Sequence, residues 1–135
     1  MIEKMHMTNY EDDGWTNSTL EFLNPNWDVV LDRLKSMHNY SRPDLWLLKY
    51  KDIPDSYLLA VNGGSGIYHI QVNDGVYYHE AIDPSGSNEE VDIWLSDQGF
   101  STEKRKTWNL EKAIEMVEYY FNFGEMNPNY EWSNE

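Results

Sequence analysis

Between residues 24 and 40 the apolar positions fall at Trp27, Val30, Leu31, Leu34 and Met37, with Asp28, Asp32, Arg33 and Lys35 between them. Steps of three and four predict an amphipathic helix. Asn24-Pro25 supplies a start, with Asn as cap and Pro at the first helical position, and Arg42-Pro43 predicts an end near Tyr40. The same spacing returns from about Leu110 to Phe123, where Leu110, Ala113, Ile114, Val117 and Phe121 form a stripe. Gly124 is placed to end that helix in a left-handed cap.

Between these helices the pattern shortens toward a period of two. Strands are predicted over 45–50, 57–62, 65–72, 76–82 and 90–96, separated by Ile53-Pro54-Asp55, Asn62-Gly63-Gly64, Asn73-Asp74-Gly75 and the loop 83–88. With Asp74-Gly75 as a two-residue hairpin loop, Val72 faces Tyr77, Ile70 faces His79 and His69 faces Glu80. Two short strands, 4–10 and 15–22, flank the acidic turn Glu11-Asp12-Asp13-Gly14 near the start. A polar bridge spans 97–109, and the aromatic tail 126–135 is expected to pack back on the domain. The outline is α+β: an antiparallel β-meander of about five strands packed against two α-helices, one domain over 1–135.

Charge changes this picture most. The chain carries 24 acidic and 10 basic residues, a formal net charge of −14. From 52 to 103 there are ten carboxylates (Asp52, Asp55, Asp74, Glu80, Asp83, Glu89, Glu90, Asp92, Asp97 and Glu103) and no lysine or arginine. A sheet built from this stretch is expected to carry a negative field with no internal compensation. Such a field repels nucleic acid and anionic membrane and attracts a basic protein surface. Six Trp, ten Tyr and four Phe set the chain apart from disordered acidic tails. The absence of cysteine rules out disulfides and thiolate metal sites. Residues 1–10 show no apolar core of the signal-peptide kind, and no apolar run approaches membrane-spanning length.

Catalytic signatures are not found. Gly63-Gly64-Ser65-Gly66 lies between two strands, so it reads as a turn rather than a phosphate loop. His6, His38, His69 and His79 lack metal-ligand spacing, and His79-Glu80 has neither the spacing nor the cysteines of a deaminase zinc site. His69 and Glu80 read as an ordinary cross-strand pair. No cofactor, metal or catalytic residue is assigned. Paired carboxylates leave a small acid/base hydrolase as one alternative, which needs two close acids in a cleft and one raised pKa. An acidic phosphate mimic that regulates a DNA-binding protein is another. Lys104-Arg105-Lys106 reads as a solvated turn before the second helix.

The strand 90–96 carries the main candidate surface. Alternation puts Val91, Ile93 and Leu95 on one face and Glu90, Asp92, Trp94 and Ser96 on the other. Either the tail or a helix covers Trp94, or it stands as an aromatic anchor inside an acidic rim, a residue type favoured at interface hot spots. Asp83, Glu89 and Asp97 extend the patch. Tyr77 and Tyr78 point to opposite faces, so one of them, taken as Tyr78, is expected to be exposed. The candidate partner-binding set is Asp83, Glu89, Glu90, Asp92, Trp94, Asp97 and Tyr78. The oligomeric state is left open.

One pattern runs through Gly66-Ile67-Tyr68, Val72-Asn73-Asp74-Gly75-Val76-Tyr77-Tyr78 and Val91-Asp92-Ile93-Trp94. It continues through Ala113-Ile114, Tyr120-Phe121 and Gly124 to Pro128-Asn129-Tyr130-Glu131-Trp132. In these residues the stretch 63–132 resembles a family of bacterial immunity proteins from polymorphic toxin systems, the first-numbered family of that series. The resemblance implies a small α+β protein in the bacterial cytoplasm that binds a cognate toxin domain and blocks its active site. The toxins paired with that family are often nucleic-acid deaminases. It implies no catalytic residues, and it does not specify which residues touch the toxin.

Overall fold

A computed structural model describes residues 2–13, 15–94 and 100–134, with Trp94 and Phe100 described by their backbone alone. The elements in chain order are β1 (Lys4–Tyr10), β2 (Asn17–Leu23), α1 (Trp27–Lys35), β3 (Asp44–Leu48), β4 (Leu58–Gly64), β5 (Ile67–Asn73), β6 (Tyr78–Ile82), β7 (Glu90–Trp94), β8 (Phe100–Glu103), α2 (Leu110–Phe123) and β9 (Glu131–Trp132). Among the described residues seven strands form one antiparallel sheet in the order β2-β1-β3-β4-β5-β6-β9, and β7 and β8 form a separate hairpin. The α+β class and the central meander are as the pattern predicts. There are more strands than five: Phe100–Glu103 and Glu131–Trp132 are too short and polar to stand out in the sequence.

One face of the sheet makes the core. Met5, Met7, Leu45, Leu47, Leu59, Val61, Ile70 and Val72 alternate along four strands and pack with Val30 and Leu34 of α1 and Ala113, Met116, Val117 and Tyr120 of α2. The α2 stripe is turned slightly from the predicted one. Met116 and Tyr120 are buried, while Ile114 and Phe121 sit at the margin. The opposite face carries a smaller cluster of Leu48, Leu58 and Ala60 beside Trp46. There the register lines up Glu21, His6, Trp46, Ala60, Gln71 and Glu80 in one row across six strands.

Helix α2 spans the predicted residues because both ends are chemically marked. The Asn109 side chain accepts from Lys112 N at 2.9 Å, and Gly124 adopts φ +67° while its N–H donates to Tyr120 O. Helix α1 departs at both ends. Asn24 takes φ +47° and its N–H donates to Glu3 O at 2.8 Å, which keeps it in the turn after β2. The cap is Asn26 instead, accepting from Val29 N at 3.0 Å. At the other end His38 and Arg42 exchange two backbone bonds of 2.9 Å, closing the chain into a tight reversal before Tyr40 can extend the helix.

The β5–β6 register also differs from the predicted one. Val72 stands opposite His79, Gln71 opposite Glu80 and Asn73 opposite Tyr78. The turn centres on Gly75-Val76 because Asp74 is bonded into the ladder side: its N–H donates to Tyr77 O, and its carboxylate accepts from Val76 N and Tyr77 N at 2.9 and 2.8 Å. Gly75, at φ +95°, occupies the first central position, where such a turn needs glycine. Tyr77 and Tyr78 lie at this protruding end, and both are about half exposed (50% and 49%) rather than one alone. The tail folds back as expected. β9 pairs with β6, Trp132 Nε1 donates to Asn127 O at 2.9 Å, and Tyr130 packs edge-on against Trp108.

Candidate functional site

The acidic surface is built by one continuous segment, the loop after β6 and the hairpin β7–β8. Asp83 closes β6 and its own Ser85 binds it twice, Ser85 N at 3.0 Å and Ser85 Oγ at 2.7 Å, which holds the Asp83 carboxyl below its ordinary range. The loop is then zipped onto the 3-10 turn Lys104–Lys106. Asp83 N donates to Arg105 O, Arg105 N to Ser87 O, and Lys104 N to Glu89 O, at 2.7 to 2.8 Å. Even glycine is tightly used here, since a Cβ at Gly86 would lie 2.7 Å from Arg105 Cα. The backbone therefore presents Glu89, Glu90 and Asp92 on a braced scaffold, all three exposed. Asp92 is further oriented by Ser101 Oγ at 2.5 Å.

The basic triplet is not a bystander, and the expectation of an uncompensated field is corrected at two points. Lys106 Nζ binds Glu80 Oε1 at 2.9 Å, and Arg105 Nε pairs with Glu103. Glu80 is shared further: its Oε2 lies 2.6 Å from Nε2 of the buried His69. His69 reaches it as a diagonal neighbour, because Glu80 stands opposite Gln71 in the ladder. The contact read from the sequence is present, though by another register. Bonds from His69 and Lys106, working against burial, pull the Glu80 carboxyl down to about 2. Two carboxylates of the stretch, Glu80 and Glu103, are thus balanced by residues just outside it. Asp74 is a third paired acid, held to about 2 by the amides of its own turn and by His79 Nε2 at 2.8 Å. Among the described residues Asp83, Glu89, Glu90 and Asp92 form no ion pair.

A cleft of about 430 Å³ opens between the hairpin and β6, lined by Glu80, Asn88, Glu90, Ser101, Thr102, Glu103 and Lys106. Glu90 stands directly opposite Glu103 in the β7–β8 ladder. Two like charges so placed disfavour the hairpin unless a cation joins them. Arg105 answers Glu103 alone. The most buried carboxyl of the cleft, Glu80, is shifted down, opposite in direction to the raised pKa that a general acid needs. Among the described residues no three His, Asp or Glu side chains converge as metal ligands.

The predicted set is brought together in part. Asp83, Glu89, Glu90 and Asp92 share the loop and hairpin. Tyr78 does not belong with them: it begins β6 while Asp83 follows its end, a separation of ~16 Å at the rise of an extended strand. The alternation used to orient Trp94 breaks, because the register shifts between Asp92 and Trp94 and leaves Ile93 as an extra residue. Ile93 itself is buried at 2% exposure. The Trp94 side chain and Asp97 lie outside the described residues. The candidate set read from the sequence omitted Glu80, Glu103 and Lys106, and the return of Lys106 to Glu80 is visible only in the tertiary structure.

A second cleft, also about 430 Å³, lies between the end of α2 and the β5–β6 turn, lined by Lys49, Tyr57, Val72, Asn73, Asp74, Tyr120, Gly124, Glu125 and Met126. Lys49 Nζ there donates to Gly124 O at 3.3 Å, meeting the last carbonyls of the helix. Among the described residues no helix is long and apolar enough to cross a membrane. No protein-family model matches the chain, and no curated protein matches it with significance.

Proposed function

We propose that this chain is a non-enzymatic immunity protein, which binds a cognate bacterial toxin domain through the loop 83–89 and the β7–β8 hairpin and blocks its action in the cytoplasm of the producing cell. The observation that carries this reading is the braced acidic segment: Glu89, Glu90 and Asp92 are exposed and form no ion pair among the described residues, with Glu89 tied to the Lys104–Lys106 turn and Glu90 and Asp92 paired with β8. Exposed charge on a rigid scaffold loses little freedom on binding, so its attraction to a basic surface is kept as affinity and association rate. The opposed Glu90 and Glu103 add a specific recognition element. A partner guanidinium placed between them relieves their repulsion and gains charge-assisted hydrogen bonds. A toxin that acts on nucleic acid needs a cationic groove for phosphates. A −14 protein competes for that groove.

Affinity capture from the source cells, followed by identification of the co-purifying chain, tests the reading directly. A one-to-one complex with a toxin domain whose activity is lost on mixing is the expected result. Capture of no toxin domain, or a complex in which the toxin stays fully active, refutes it.

A further inference from the structure

The sheet ends on β2 at one side and on the two-residue β9 at the other. β2 runs for seven residues, Asn17–Leu23, with no proline or lysine to blunt it. The bonds flanking its ladder with β1 reveal which way its backbone points. Glu11 N donates to Thr16 O and Asn24 N to Glu3 O, each at 2.8 Å. Both pairs continue the register that sets Met5 opposite Phe22 and Met7 opposite Leu20. Bonded and non-bonded pairs alternate in an antiparallel ladder. Ser18, Leu20 and Phe22 are therefore bonded to β1, while Asn17, Thr19, Glu21 and Leu23 turn their N–H and C=O outward. Among the described residues no strand lies beyond them.

We infer that β2 pairs with β2 of a second copy of this chain, antiparallel about a two-fold axis at Leu20. That register sets Thr19 against Glu21 and Asn17 against Leu23 of the other copy, so every outward residue meets an outward residue. Each such pair exchanges two N–H···O bonds. The same geometry brings together two of the most exposed apolar side chains, Trp15 at 73% and Leu23 at 65%. Trp15 precedes Asn17 by two residues, which makes it the diagonal neighbour of Leu23 across the axis.

Charge selects a second copy over an unrelated strand only if self-repulsion is weak here, and it is. The one charged residue of β2, Glu21, is answered by Lys4 Nζ at 2.9 Å. The β7 strand of the acidic hairpin touches β4 and β5, three and four strand spacings away, or ~14–19 Å, against a screening length of about 8 Å at physiological salt. Antiparallel pairing also puts the two acidic turns, Glu11-Asp12-Asp13, at opposite ends of the joined strands. The proposed partner surface stays open in each copy, so this association stands apart from toxin binding.

Sedimentation across a concentration series of the purified chain tests it. The mass is expected to rise from 16.0 kDa toward twice that value. Thr19→Pro removes an outward N–H without touching a bond to β1 and is expected to stay at 16.0 kDa at every concentration, whereas Thr19→Val, which keeps the donor, associates like the parent. Amide exchange of the unmodified chain gives a second readout that does not depend on a variant folding. The amides of Asn17, Thr19, Glu21 and Leu23 are expected to slow as concentration rises. A mass that stays at 16.0 kDa throughout, or a doubled species in which those amides exchange as fast as in dilute protein, overturns the inference.

Discussion

Glu80 shows how much one side chain here depends on its neighbours. Its two oxygens are divided between His69 at 2.6 Å and Lys106 at 2.9 Å, and all three side chains are largely removed from water. Glu80→Gln leaves Lys106 without its carboxylate and is expected to cost about 1–3 kcal/mol at neutral pH, measured by urea unfolding. The pH dependence follows from the direction of the shift. The carboxyl is held at about 2 in the folded protein against an ordinary 4.5. Its contribution is complete above 4.5 and is lost as pH falls toward 2. The gap between parent and Glu80→Gln is therefore expected to narrow across that window. An equal gap at pH 7 and pH 2 contradicts the assignment. Asp74 titrates in the same range, but its exposed carboxylate serves mainly to shape its own turn.

At the scale of elements, the ends decide more than the middles. Asn109→Ala removes the acceptor for Lys112 N and is expected to cost about 1 kcal/mol. The junction of β4 with the segment after α1 is stricter. A Cβ at Gly64 would lie 2.6 Å from His38 N and 2.7 Å from Met37 C, on backbone at φ +127°. Gly66 shares a positive φ of +95° but has open space around it. Gly66→Ala is thus expected to cost about 1–2 kcal/mol for conformation alone. Gly64→Ala must also push the backbone of the α1–β3 connection outward, and a loss above about 3 kcal/mol is expected in thermal or urea unfolding. Equal losses at the two positions would show that the close approach to His38 does not matter.

Across the whole molecule the net charge is read as rate. Replacing Glu89, Glu90 and Asp92 together by lysine is expected to slow association with the proposed toxin partner about tenfold or more at low salt and to flatten its ionic-strength dependence. Stopped-flow association at two salt concentrations separates this from a loss of folding, which circular dichroism checks independently. Unchanged kinetics would remove the hairpin from the interface.

The periodicity of the chain by itself determined the α+β class, the central meander and helix α2, because these depend on local pattern and on end signals such as Asn109 and Gly124. It determined that the surface is acidic, since charge is a property of composition. Tertiary structure alone decided the start of α1, the β5–β6 register, the pairing of Phe100–Glu103 with β7 and the return of Lys106 to Glu80. Each of these turns on a bond between residues whose distance in the chain hides their nearness in space, or on a side chain such as Asp74 choosing between competing backbone partners. Which acids remain free for a partner is accordingly a property of the fold. A count of carboxylates between residues 52 and 103 cannot tell Glu80, already held by a lysine, from Glu90, which forms no ion pair among the described residues.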